Sequence, residues 1–440
     1  LNNSKRSSRS KINVILVLIL LDQIFFGLIK RLIFSEAGRD SLYYAYLALF
    51  PTICTLLFFI TLAQKKFTLP YLGSVTTPYY FFMLNLLIVT ISNGADEKSA
   101  LSFFHTYYLL LALPILAHLT KKGLDIITPL RTAMLIALPI VTIHTALHFT
   151  YGILPFEQSW ANDSWSSLYI GSDENSRVFR PFASFEDPGY LSTYYLFTAL
   201  TLIIRPFKKT RYNTLVIPMC LALSVIPLKS TPVIAFLISL LLIYIAKRIR
   251  QKILLKLCLA GTLGAMALFI TTINSLNIGT ISSNNYILQE RLSLGTLKAR
   301  MLKYSEILEK IEENPLGHGA AFISMANTSD HKGFVDSDSQ YLTILANFGI
   351  QGLILYCLIL FRATDAIRTL KGRAQYALVA PLFISIMSFT TEILSTRFIF
   401  LVSIIVTSYA IASSHEKKRT LRSTHPRAIK WSKGDIQTDP

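Results

Sequence analysis

The sequence predicts an all-α, polytopic membrane protein, and three observations predict it. Hydrophobic residues make up 52% of the 440 and charged residues only 15%, against about 25% charged in a soluble domain. Mean hydropathy is +0.47. The apolar residues are gathered into blocks close to the ~20 residues a helix needs to cross a bilayer. This composition excludes a soluble cytosolic enzyme. The formal charge of +18 does not point to nucleic acid, because the basic residues are scattered over short loops and a tail. Cys54, Cys220, Cys258 and Cys357 all fall inside apolar blocks. No CxxC or Cys/His spacing suggests zinc or a disulfide framework.

Twelve apolar spans are expected, at about 13–29, 41–63, 77–92, 100–119, 128–150, 188–205, 213–228, 231–246, 253–273, 339–361, 375–393 and 397–413. The chain begins with Leu, and the first run lacks a small-residue cleavage site, so it reads as a retained span. The 213–246 block, interrupted by Pro227 and Lys229, reads either as a broken helix pair or as two short spans. Charge sets the orientation. With the N-terminus cytoplasmic, 28 of the 43 Lys and Arg lie on its side, 14 lie opposite, and Arg131 falls within a span. The positive-inside rule then puts both termini in the cytoplasm. The remaining positive charge favours contact with anionic membrane lipid.

The expected organisation follows. Residues 1–151 hold spans 1–5, 152–187 form periplasmic loop A, and 188–273 hold spans 6–9. Residues 274–338 form periplasmic loop B, 339–413 hold spans 10–12, and 414–440 are a basic, flexible cytoplasmic tail. Loop A holds six and loop B eight of the 25 acidic residues, and long polar loops on a bundle are where function concentrates. Loop B contains an amphipathic helix. Leu294, Leu297, Met301, Tyr304, Leu308 and Ile311 recur at helical spacing, with Glu306 and Lys310 an i,i+4 pair on the wet face. Asn314-Pro315 ends it, and Gly317 and Gly319 follow as a turn.

Chemistry-bearing residues collect at span entrances. Loop A ends in RVFRPFASFEDPGYLS, from Arg177 to Ser192. Arg177 and Arg180 read either as headgroup contacts or as a clamp for phosphate, which a guanidinium binds bidentately without losing its charge. Glu186 and Asp187 read either as helix caps favoured by the N-terminal dipole or as reacting carboxylates. Asp338, at the mouth of the tenth span, reads as an N-cap or as a general base. Asp336-Ser337-Asp338 has the bare spacing of a metal-binding DxD string, but the apolar strand expected before such a string is missing. Trp160, Trp165, Tyr169 and Phe182 read as interfacial anchors or as platforms for sugar rings. Asp22, His144 and His148 are polar residues inside spans, and Glu392 and Arg397 lie at an outer turn. Asp22 alone is thin support for ion coupling.

Three strings resemble those of the O-antigen ligase / Wzy-type polymerase superfamily of bacterial surface-polysaccharide assembly. RPFASFEDPGYLS, Arg180 to Ser192, is similar to the string R-P-x-G-x-F-x-x-P-N. KARMLKYSEILEKIEENPLGHG, Lys298 to Gly319, is similar to R-x-x-x-W-x-x-A-x-x-x-x-x-x-x-P-x-x-G-x-G, with Arg300 at the arginine position. DSQYLTILANFGIQG, Asp338 to Gly352, is similar to H-N-x-Y-L-x-x-x-x-x-x-G-x-x-G. Ala183 and Gly189 stand where the first string has Gly and Asn, Tyr304 stands near the Trp of the second, and Asp338-Ser339 replace the His-Asn of the third. The missing His favours a polymerase over a ligase, although His318 and His331 lie near.

The resemblance implies a GT-C-like glycosyltransferase acting on the periplasmic face of the bacterial inner membrane. Its donor would be an undecaprenyl-diphosphate-linked oligosaccharide, polymerised with inversion into O-antigen, capsule or exopolysaccharide. Arg180 and Arg300, assisted by Arg177 and Arg291, would stabilise the departing diphosphate, so neither a metal nor a cofactor is needed. Asp338, then Glu186 and Asp187, would take the acceptor proton. Trp160, Trp165, His331 and Tyr341 would contact sugar. A flippase and a chain-length regulator are the implied protein partners. The alternatives are a ligase delivering glycan to lipid A-core or protein, and a twelve-span transporter, which predicts paired repeats and broken helices.

Overall fold

The computed structural model describes residues 2–33, 41–64, 72–94, 107–158, 160, 168–170, 178–208, 210–249, 304, 307–320, 322, 339–364, 370, 372–389, 391, 393 and 396–424. Eleven helices of the described residues are labelled here. They are α1 Asn2–Ile33, α2 Ser41–Gln64, α3 Thr76–Ser92, α4 Ala112–Lys121, α5 Ile127–Tyr151, α6 Pro188–Ile204, α7 Thr210–Leu223, α8 Ser230–Ile249, α9 Gln340–Ala363, α10 Val379–Met387 and α11 Arg397–Thr424. A two-residue ribbon pairs β1, Tyr169–Ile170, antiparallel with β2, Val178–Phe179.

Four helices are long and apolar enough to cross a membrane: Ile12–Ile33, Ile127–Tyr151, Gln340–Ala363 and Arg397–Ser414. Shorter apolar helices, such as Thr76–Ser92 and Ser230–Ala246, stand among them. The protein is a polytopic all-α membrane protein. On α5, Ile136, Ile140, Ile143 and Leu147 form an exposed stripe, while Leu130, Met134, Ala137, Val141, His144 and His148 are buried. An apolar stripe facing outward is what a lipid solvent permits. The core runs through α11, nearly all of whose Arg397–Ser414 stretch is buried, packed against α4. Around them α1 packs on α5, α3 on α9, α6 on α7, and α8 on α10.

Hydroxyls stitch the helices together. Tyr194 donates to Met134 O at 2.6 Å, Tyr79 to Leu110 O at 2.7 Å, and Ser192 to Ser224 O at 2.7 Å. In an apolar surround such bonds satisfy groups that lipid cannot.

The tenth expected span, α9, is broken at its middle. Gly349 has φ +72° and ψ −178°, a conformation that glycine reaches without a Cβ clash. The turn Pro315–Gly319 of loop B fills the break. His318 N–H donates to Ala346 O at 3.0 Å and Gly319 N–H to Asn347 O at 2.8 Å. Asn85 of α3 donates to Phe348 O at 3.1 Å, and Ile350 N–H returns a bond to Pro315 O at 3.2 Å. The carbonyls ahead of the break thus find partners outside the helix, as buried backbone must. Asn93 and Asn314 both donate to Gly317 O, at 3.1 and 2.8 Å, and Gln351 donates to Leu316 O at 2.8 Å.

The structure bears on several expectations. The tail expected from 414 starts as helix, since α11 continues to Thr424, and Glu416, Lys417, Lys418 and Arg419 are good helix formers; residues 425–440 lie outside the described residues. The 213–246 block is two helices, α7 and α8, separated by a turn at 224–227 and by Leu228 at φ +53°. The eleventh span shortens to the 3-10 turn Gly372–Leu378 followed by the nine residues of α10. Along the loop-B helix, described at 304 and 307–313, Tyr304 is buried as expected, Leu308 and Ile311 are half-buried, and Ile307, outside the expected stripe, is buried at 1% exposure. Lys310 pairs with Glu313 at 2.7 Å, and its expected partner Glu306 lies outside the described residues. The ninth span, at 253–273, lies outside the described residues.

Candidate functional site

The end of loop A is bound to the start of the chain. Ribbon β1–β2 delivers Arg180, whose N–H donates to Leu168 O at 2.8 Å. The chain then turns through Pro181–Asp187 into α6. Within the turn, Ala183 has φ +47°, a left-handed conformation that costs a non-glycine residue about 1–2 kcal/mol. The resemblance puts glycine at this position, and the positive φ is the physical reason for it.

Arg31, at the end of α1 and only 2% exposed, holds that turn. Its Nη1 donates to Phe185 O at 2.6 Å, and its Nη2 donates to Ala183 O. Its Nε lies 3.2 Å from Glu157 Oε1. Its guanidinium lies over Phe182 and Trp160, 4.8 and 5.0 Å from the ring centres, where ring quadrupoles favour a cation. Leu28 N–H adds a bond to Ser184 O at 3.1 Å. Gly27 makes this approach possible, since a Cβ there would lie 2.8 Å from Ser184 O.

Glu157 is fully buried and sits under α5. Its Oε2 accepts from His148 Nε2 at 2.6 Å and from Leu154 N–H at 3.3 Å. Its Oε1 lies 3.3 Å from His144 Nε2, close enough for charge pairing but off line for a hydrogen bond. Burial pushes the Glu157 carboxyl up, but the imidazoles of His144 and His148 and the charge of Arg31 outweigh it and bring it to about 2. A buried charge pair that is also hydrogen-bonded is the tolerable form of buried charge.

His144, His148 and Glu157 offer three ligand atoms within 4.8 Å of one another, a donor set familiar from zinc sites. The chemistry argues against a metal here. His148 Nδ1 accepts from Ala183 N–H at 3.2 Å, so its proton sits on Nε2, facing Glu157. Ligation through Nε2 would move that proton to Nδ1, against another donor. The Arg31 guanidinium already serves as the cation for Glu157. Protein purified without chelator is therefore expected to carry well under one equivalent of zinc or nickel by elemental mass spectrometry. EDTA should leave its unfolding temperature unchanged. One tightly held equivalent, stripped with loss of stability, would overturn this.

The remaining expected site residues fall as follows. Glu186, a third exposed, pairs with Lys30 at 2.9 Å. Burial raises its carboxyl, but Lys30, Arg31 and Arg397 together hold it below the ordinary value. Asp187 is the N-cap of α6, accepting from Gly189 N–H at 2.6 Å, with Lys229 Nζ 3.9 Å away. Trp160 is half-buried, with one face against Arg31 and its ring tilted 50° against Phe182. Tyr341 is fully buried; its hydroxyl donates to Ser385 O at 2.8 Å and its ring packs on Tyr356 and Phe389. Asp22 accepts from Tyr46 OH at 2.7 Å. Arg177, Trp165, Arg291, Arg300, His331 and Asp338 lie outside the described residues. Sequence reasoning found His144 and His148 but missed Arg31 and Glu157; the i,i+4 histidines on the inward face of α5 were the available signal.

The left-handed turn can be tested directly. Ala183→Gly relieves about 1–2 kcal/mol of backbone strain. It loses a buried methyl worth about 0.8 kcal/mol and adds about 0.5–1 kcal/mol of unfolded-chain entropy. The expected net change is within ~1 kcal/mol of zero. Ala183→Val, β-branched at positive φ in a fully buried position, is expected to cost more than about 2 kcal/mol. Equal unfolding midpoints for the two variants would contradict the turn geometry.

The fold and this charge-paired bundle end define a helical membrane protein whose polar turns are locked to its spans. Residues 215–357, about a third of the chain, match the family described as O-antigen ligase. This match is consistent with the superfamily its three strings resemble. The matched stretch includes α8, the loop-B turn and the break in α9, while the Arg180–Asp187 turn precedes it. Members of this family are glycosyltransferase-like enzymes acting on lipid-linked polysaccharide. No curated protein matches the chain.

Proposed function

We propose that this chain is a polymerase of bacterial surface polysaccharide, joining undecaprenyl-diphosphate-linked oligosaccharide repeat units at the periplasmic face of the inner membrane. The observation that carries the reading is the match to the O-antigen ligase family over residues 215–357. Lys30, Arg31 and Lys229 gather against the turn that follows Arg180, at Glu186, at the Ala183 and Phe185 carbonyls and at Asp187, which supports it, because a lipid diphosphate needs fixed positive charge.

Arg180 and Arg300, with Arg177 and Arg291, hold the diphosphate in this reading. The acceptor hydroxyl attacks the anomeric carbon from the face opposite the leaving group, with inversion. The bond to the diphosphate oxygen breaks, and the proton passes to a carboxylate. Asp338 is the first choice for that base, since Glu186 is paired with Lys30 and Asp187 caps a helix. Both termini lie in the cytoplasm, about twelve spans cross the membrane, and a flippase supplies the donor while a chain-length regulator limits the product. The same match fits a second reading, a ligase that transfers finished glycan to lipid A-core or protein; Asp338-Ser339 in place of His-Asn is what favours the polymerase.

The test is complementation of a strain lacking the gene, with surface glycan resolved by chain length. Wild type is expected to restore a ladder. Arg180→Ala, Arg300→Ala and Asp338→Asn, at equal expression, are expected to leave carrier or core bearing one repeat unit. Accumulation of long polymer on the carrier in the deletion strain would replace polymerase by ligase. Normal ladders from all three variants would remove these residues from the site.

A further inference from the structure

The geometry points to Arg31 as the positioning residue of the active site: held by Glu157, it fixes the turn that carries Arg180 and Glu186. The inference rests on the reading of that turn as part of the diphosphate site, and it adds a residue that none of the three strings contains.

Four observations carry it. Arg31 binds the turn through its backbone, the carbonyls of Ala183 and Phe185, so it sets the path of the chain between Arg180 and Glu186. Its orientation is fixed from behind by Glu157 at 3.2 Å and from the sides by Phe182 and Trp160. The turn is over-determined by independent contacts, Leu28 N–H to Ser184 O and Ala183 N–H to His148 Nδ1. Over-determination is what keeps a strained, left-handed residue in place. Finally, Gly27 removes the side chain that would prevent the seating, since a Cβ there would lie within 3.0 Å of both Ser184 O and Phe185 C.

Only a planar fork suits the task. Arg31 meets two carbonyls and one carboxylate from one guanidinium, whereas a lysine ammonium offers a single point. Glu157 keeps the buried charge neutralised, and His148, held in the Nε2–H form, links Glu157 to the same turn. Displacement of a reacting group by about 1 Å lowers turnover by roughly 10²-fold. Releasing this turn would move Arg180 without altering any side chain that touches the donor.

The experiment uses the full chain in proteoliposomes, with repeat-unit-bearing undecaprenyl diphosphate extracted from the deletion strain as the probe. Arg31→Met/Glu157→Gln removes both buried charges together and keeps an acceptor for His148. Gly27→Ala disturbs the seat from the opposite side and leaves the charges alone. Arg31→Lys keeps the charge and loses the fork. Hydrogen exchange over 180–187 reads the turn, and kcat and KM read the reaction.

All three variants are expected to fold, to lose about tenfold in protection over 180–187, and to lose roughly 10²-fold in kcat with KM for the donor changed far less. Full recovery of kcat in Arg31→Lys would reduce Arg31 to a structural charge and overturn the proposal. So would wild-type kcat in a variant whose turn exchanges freely, or unchanged protection in all three. If wild type itself does not extend the probe, the polymerase reading fails, and exchange alone decides whether Arg31 holds the turn.

Discussion

Glu157→Ala is expected to destabilise the protein by about 3–5 kcal/mol, because it leaves the Arg31 charge buried without its counterion. Arg31 is 2% exposed and Glu157 is fully buried, so water cannot replace the lost carboxylate. The comparison is Glu186→Ala. The pair of Lys30 and Glu186 is shorter, 2.9 Å, but its side chains are 30% and 33% exposed, and such pairs contribute about 0–1 kcal/mol. Chemical unfolding in micelles should separate the two variants clearly, and equal midpoints would sink the account.

The same pair gives a pH dependence of known sign. Burial raises the Glu157 carboxyl, but His144, His148 and Arg31 bring it from 4.5 to about 2 in the folded protein. A group whose folded value lies below its unfolded one contributes stability that is complete above the unfolded value and is lost as pH falls through the folded one. Stability is therefore expected to decline between about pH 4.5 and 2. Glu157→Gln should flatten that part of the profile.

Gly349→Ala should be comparably damaging, at about 2–6 kcal/mol. Part of this is the ~1–3 kcal/mol of a non-glycine residue at positive φ with ψ near 180°. The rest is collision, since a Cβ would lie 2.5 Å from Leu316 C and O and 2.7 Å from Pro315 O. These are backbone atoms of the inserted turn, and moving backbone in a packed site costs about 1–3 kcal/mol. Gly317→Ala meets Asn347 O and Gly349 N at 2.6 Å and should behave alike. Gly94→Ala is the control, with φ +70° but nothing within 4 Å, so only the strain of about 1–2 kcal/mol remains. A thermal unfolding series in which Gly349→Ala is no worse than Gly94→Ala would refute the interlock.

The helices were legible where an apolar run ends in charge or proline. The segments at 41–64, 127–151 and 188–204 match their expected spans within two residues, since burial against lipid and core requires such runs. The break in α9 was hidden because hydropathy reports burial and carries no φ. Gly349 and Gly352, inside an otherwise helical run, were its only trace. At the site, Asp187 as a cap was readable, because Asp before Pro-Gly at a span entrance is a local signal. Arg31 with Glu157 was not readable. The two lie far apart in sequence, Arg31 beside Lys30 at the end of one apolar block and Glu157 alone after another, and only packing of α1 on α5 makes them partners.

The seating of Pro315–Gly319 in the middle of α9 has a consequence for exchanging parts between related proteins. Loop and span are two halves of one mortise joint, so the natural seam is not the membrane entrance at Ser339. A loop B transplanted from elsewhere would arrive with a tenon cut for another socket, and residues 346–351 would have to travel with it. Asn85 on α3 and Asn93 at its C-cap grip the same joint, so the smallest interchangeable unit spans three separate stretches of chain.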